Sequence, residues 1–169
     1  MVRRKRKRCI YFGFKGDALL EYWLQRYLRE NASKYGMKII KCLSGRGGGG
    51  GDFLVQYQGE RMKVEVEWIY SFYDHANDPK YNDVKILACL DILKPGDEKE
   101  LKKYGCPPIV VWLSTEDFSR WYKEKTGREC LPYAYFGESK PISRIRYPPP
   151  PYLYLNWRVY FPKLLKKRI

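Results

Sequence analysis

The segment 63–68, Lys-Val-Glu-Val-Glu-Trp, alternates charged and apolar side chains without a break. Period-two alternation fits a strand buried on one face and does not fit an amphipathic helix. Val64, Val66 and Trp68 are thereby assigned to a core, and Lys63, Glu65 and Glu67 to the opposite face. Two residues of strand place the carboxylates of Glu65 and Glu67 about 6.6 Å apart. Just upstream, five glycines (47–51) lead into Asp52 and the apolar triplet Phe53-Leu54-Val55. If 52–58 and 62–69 pair as a hairpin around Gly59, Asp52 joins the two glutamates. Three carboxylates in one place repel one another and attract a hard divalent cation such as Mg²⁺. Each piece alone is ordinary, since Val-Glu-Val-Glu also describes a solvated sheet face. The combination is what points to a site.

The flanking sequence predicts an α/β domain with a mixed central β-sheet flanked by helices. Asp17 is a candidate N-cap for a helix to about Lys34, closed by Gly36. Its apolar positions Leu19, Leu20, Trp23, Leu24, Tyr27 and Leu28 recur at helical spacing. Glu21 falls at the border of that face, either as a simple boundary glutamate or as a group that reaches beneath the helix. Strands are expected over 38–43, 84–90 and 109–113. A short exposed helix is expected over 97–104, and a helix capped by Ser114 or Thr115 runs to about Lys125. The aromatic stretch 70–82 is expected to hold a short helix carrying His75. Loop 44–51 lacks the Gly-Lys-Ser/Thr ending of a P-loop but lets a polyanion approach the backbone, near Arg46.

Charge is concentrated at the ends. Arg3, Arg4, Lys5, Arg6, Lys7 and Arg8, with Lys163, Lys166, Lys167 and Arg168, supply ten of the fourteen net positive charges. Such clusters bind nucleic-acid phosphates through counterion release, and otherwise serve as solubilising tails. No apolar run approaches the roughly 20 residues that cross a bilayer, and 9–14 is too short and glycine-broken for a signal-peptide core. A cytoplasmic, intracellular protein with no membrane contact is expected. Five cysteines without a C-x-x-C pair, beside a single histidine, argue against structural zinc. Cys42 and Cys89 read as small core residues. Abundant Lys, Arg, Tyr and Ile with three Gln lean toward a thermophilic source, archaeal or viral. From residue 130 the texture turns aromatic and proline-rich, with four prolines at 148–151. The division is a basic arm 1–8, a domain 9–129 and an extension 130–169. The extension could pack on the domain, form a dimer contact or offer stacking surface for bases.

The arrangement over 16–91 resembles the PD-(D/E)xK, or restriction-endonuclease-like, nuclease superfamily. In that family a helix with a glutamate precedes a hairpin bearing an aspartate and then a Glu-x-Lys or Asp-x-Lys strand. Glu21 matches the helix acid, Asp52 the hairpin aspartate and Glu65 the first acid of the second strand. The helix from Gly16 through Glu21, the glycine-rich loop and the hairpin also look like the opening of archaeal Holliday-junction resolvases. The resemblance implies a metal-dependent endodeoxyribonuclease whose Asp52 and Glu65 bind Mg²⁺, with Mn²⁺ as a substitute. Its partner would be DNA, and a homodimer would suit paired cuts.

Glu67 departs from the pattern, standing where the family usually has lysine. It could be a further metal ligand or a base orienting water, or Lys63 could supply the missing cation. The site could equally be inactive, leaving a DNA-binding scaffold. His75 is a candidate phosphate contact or general acid, beside a purely structural role.

Overall fold

A computed structural model describes residues 9–11, 17–43, 50–70, 72, 75–91, 94–128, 130 and 134–136. The basic arm 3–8, Arg46, the prolines 148–151 and the basic C-terminal cluster lie outside the described residues. Helix α1 spans Asp17–Asn31, and its Leu20, Leu24, Tyr27 and Leu28 are fully buried, one apolar stripe at helical spacing. A single 3₁₀ turn, Ala32–Tyr35, continues it, and Gly36 closes the turn at φ 71°. Glycine suits that left-handed position because a Cβ would be strained there.

Strands β2 (Met37–Cys42), β3 (Phe53–Tyr57), β4 (Glu60–Glu67), β5 (Val84–Leu90) and β6 (Ile109–Leu113) form one sheet in sequence order. β2, β3 and β4 are antiparallel, whereas β4, β5 and β6 are parallel. The architecture is therefore α/β with a mixed five-stranded sheet. β3 and β4 are joined by Gln58-Gly59, with φ of 48° and 86°. Two positive φ values in a two-residue connection match the right-handed twist of the flanking strands. β5 is buried at every position but Lys85, which explains its unbroken apolar sequence.

Helix α2 (Glu98–Lys103) lies between β5 and β6, capped by the Asp97 side chain. Helix α3 (Thr115–Thr126) follows β6, and Ser114 Oγ accepts the Asp117 N–H at 3.1 Å. α3 packs against α1 through an aromatic layer, with Tyr27 5.6 Å from Phe118 and Trp23 5.1 Å from Tyr122. A separate two-stranded ribbon pairs β1 (Cys9–Tyr11) with β7 (Ala134–Phe136). The start of the C-terminal extension thus returns to the segment that follows the basic arm.

Two local expectations are corrected. Cys42 is exposed rather than in the core, because it ends the outer strand β2 beyond a register break between Ile39 and Lys41. Cys89, in the interior strand β5, is buried as expected. The expected helix around His75 is a turn, followed by a 3₁₀ turn at Pro79–Tyr81. Among the described residues no helix is long and apolar enough to cross a membrane.

The hairpin turn offers a direct check of the local account. Asparagine tolerates positive φ better than glutamine, so Gln58→Asn should raise the thermal midpoint by about 1–3 °C. Calorimetry measures it, and an unchanged or lower midpoint contradicts the assignment.

Candidate metal centre

Pairing of β3 with β4 ends at Phe53 opposite Val64, leaving the last three residues of β4 beyond its partner. Asp52 fills that gap. Its N–H donates to the Val64 carbonyl at 2.7 Å, and its carboxylate accepts the Val66 N–H at 2.9 Å. The other carboxylate oxygen accepts Nε2 of Gln25 on α1 at 2.7 Å. A buried backbone donor that would otherwise lack a partner thus fixes the acid at the strand end.

On the other side of β4, parallel pairing sets Glu65 beside Leu87 and Glu67 beside Cys89, both fully buried. Trp112 continues the Glu67–Cys89 row, and Tyr70 packs on Trp112 and Tyr104. The acids therefore stand on an apolar floor rather than on a solvated face. Asp52 and Glu65 are buried, and Glu67 is half-buried.

His75 arrives from the connection between β4 and β5. Its N–H and that of Ala76 donate to the Phe72 carbonyl at 3.0 and 2.8 Å. Its ring stacks on Tyr81 at 4.0 Å and meets Phe72 edge-on at 5.3 Å. This seating leaves Nε2 3.1 Å from Glu67 Oε1 and 3.6 Å from Glu65 Oε1. One ligand atom each from Glu65, Glu67 and His75 lies within 4.8 Å of the others.

The glycine run has a local reason at its end. Gly50 N–H donates to the Lys80 carbonyl at 2.9 Å, and a Cβ there would lie 2.3 Å from the same oxygen. Only glycine lets this segment dock on the turn that carries Tyr81, the support of His75.

Electrostatics follow from the burial. Desolvation, opposed by the Val66 and Gln25 hydrogen bonds and by His75, raises the Asp52 pKa to about 6. Desolvation, then the charges of Asp52 and Glu67, push Glu65 up to about 8, while His75 pulls it down and Glu21 pushes it further up. The neighbouring carboxylates make Glu65 harder to ionise, which is the condition that a bound divalent cation relieves.

The expected trio was Asp52, Glu65 and Glu67. The close set of donors is instead Glu65, Glu67 and His75, with Asp52 beside them as an electrostatic neighbour. Glu21 acts on Glu65 from α1, the side on which it was expected. Lys63 shares the strand with the acids, but its ammonium is engaged by Asp83. Gln25 and Tyr81 were not foreseen. Gln25 had a signal, since it lies four residues after Glu21 and shares its helix face. Tyr81 had none, because a loop aromatic carries no periodicity.

Comparison with protein-family models, with curated proteins and with solved structures finds no match for this chain.

A pH dependence follows from the raised carboxylates. The ordinary values of Asp52 and Glu65 are 3.8 and 4.5, and their folded values are higher. Between about pH 4.5 and 8 the unfolded chain releases protons that the folded chain retains, so stability in EDTA should fall across that window. Glu65→Gln, which carries no charge, should flatten the fall by a few kcal/mol and be the more stable protein at pH 8. Urea unfolding at stepped pH measures both. Equal pH dependence in the two proteins contradicts the electrostatic account.

Proposed function

We propose that this chain is a divalent-metal-dependent nuclease acting on DNA, on a restriction-endonuclease-like core with a C-terminal extension. The observation that carries the reading is the convergence of Glu65, Glu67, His75 and Asp52 beside the β3–β4 hairpin. The net charge of +14 supports a polyanionic substrate. The donor set fits a divalent ion, because oxygen and imidazole donors gather on a half-enclosed face. Such an ion, Mg²⁺ or Mn²⁺, would neutralise phosphodiester charge and acidify a bound water.

The residues of the chain divide the remaining work. Glu65 and Glu67 offer carboxylate oxygens to the cation. Asp52, anchored on the Val66 N–H and on Gln25, adds negative charge and fixes the strand end. Glu21 contributes charge from α1. Glu67, its carboxylate 3.1 Å from His75 Nε2, would orient the attacking water. In this reading the arm residues 3–8 and Arg46 contact phosphates. A homodimer would extend the same chemistry to paired cuts in branched DNA.

A second reading, a DNA-binding protein that does not cut, is favoured by the replacement of the family's lysine with Glu67 and by the engagement of Lys63 with Asp83. One assay separates the two. Plasmid, linear and four-way-junction DNA are incubated with Mg²⁺, Mn²⁺ or EDTA. Cleavage is expected with a metal and not with EDTA, and Glu65→Gln should reduce it at least about a hundredfold while DNA binding persists. Binding without cutting under every metal condition supports the scaffold, and junction-selective cutting supports a resolvase.

The arm has its own readout. If all six basic residues of 3–8 touch phosphates, deleting them should reduce the slope of log affinity against log salt by about 5. An unchanged slope removes the arm from the interface.

A further inference from the structure

The arrangement around Glu65 says more about the cation than that it is divalent. Glu65 is 8 % exposed, and among the described residues its carboxylate accepts no hydrogen bond. His75 Nε2 stands 3.6 Å from it. A carboxylate so enclosed, with Asp52 and Glu67 beside it, is costly to ionise unless a cation completes its surroundings. Asp52 is differently placed, since both of its oxygens already accept hydrogen bonds, from Val66 and Gln25. The His75 ring is fixed by its stack on Tyr81 and its edge contact with Phe72, so Nε2 has little freedom to turn away from the two glutamates.

We propose that His75 Nε2 is a direct metal ligand, with the Glu65 and Glu67 carboxylates, and that the site selects a first-row transition ion over Mg²⁺. This rests on the reading of the cluster as a metal centre given above. Bonds of about 2.1 Å to one ion hold ligand atoms roughly 3–4 Å apart. Atoms already within 4.8 Å reach that spacing by small rotations of the two glutamate side chains. Mg²⁺ gives up water reluctantly and takes oxygen donors, whereas an imidazole nitrogen suits softer first-row ions. Mn²⁺, which accepts carboxylates and imidazole alike, is the natural probe. Asp52 remains outside the ion's first coordination shell, holding the strand end and adding charge.

The chain contains one histidine, so its imidazole signals report on this residue alone. Titration of the full chain with Mn²⁺, followed by NMR, should broaden the imidazole resonances at substoichiometric metal. Zn²⁺ should shift them without broadening. Calorimetry should give Mn²⁺ an affinity at least about tenfold above that of Mg²⁺. His75→Gln should lower Mn²⁺ affinity about tenfold or more and leave Mg²⁺ nearly unchanged, so that the preference disappears. Circular dichroism checks that the variant is folded, and the wild-type NMR titration decides the matter if it is not.

Imidazole signals untouched by Mn²⁺ and Zn²⁺, or equal affinities for Mn²⁺ and Mg²⁺, would overturn the proposal. None of these readouts requires cleavage. A protein that binds Mn²⁺ through His75 yet leaves DNA intact keeps this inference and loses the nuclease. One that cuts with Mg²⁺ regardless of His75 does the reverse.

Discussion

Mutual repulsion among buried acids is the constraint around which this molecule is arranged. Glu65 stands where burial, Asp52, Glu67 and Glu21 all oppose its ionisation. A fold tolerates such a group only if the surroundings answer part of the charge. Here the answers are specific. The Val66 N–H and the Gln25 amide hold Asp52, and the His75 ring stands between Glu65 and Glu67. Among the described residues, no lysine or arginine is one of the groups that draw down the pKa of Asp52 or Glu65. Within this set, His75 alone supplies a charge that favours ionisation of Asp52 and Glu65.

Sheet topology explains why the demand arises at this spot. β4 has an antiparallel neighbour on one side and a parallel one on the other. Its antiparallel partner stops early, which frees the Val66 N–H for Asp52. Its parallel partner requires a crossover, and the chain between β4 and β5 brings His75 back over the acids. The aromatic residues of that crossover, Tyr70, Phe72 and Tyr81, form the wall and floor rather than merely linking two strands.

Much of the architecture could be read from the sequence because its signals are local. Alternation in 63–68, the apolar run of 84–90 and the Ser114 cap each specify an element through neighbouring residues, and the elements lie within a residue or two of expectation. The gathering of Asp52 with Glu65 was also legible, since hairpin register follows from the turn at Gln58-Gly59. The sequence does not place His75 beside the acids, because its position depends on ring packing across the crossover, which leaves no periodic trace. Lys63 illustrates the same limit in reverse. The strand pattern put it on the correct face, but its ammonium engages Asp83, a residue of the following segment. Cys42 lay in an apolar run that reads as core, whereas the edge position of β2 leaves it exposed.

The central claim is that these acids and the one histidine enclose a position for a doubly charged ion. Anomalous diffraction from crystals of the full chain grown with Mn²⁺ tests it most directly. The account predicts one strong manganese peak within bonding distance of Glu65, Glu67 and His75, lost in Glu65→Gln crystals. Manganese elsewhere on the chain with this cluster empty, or a lysine or arginine side chain folded into the cluster in its place, would contradict it.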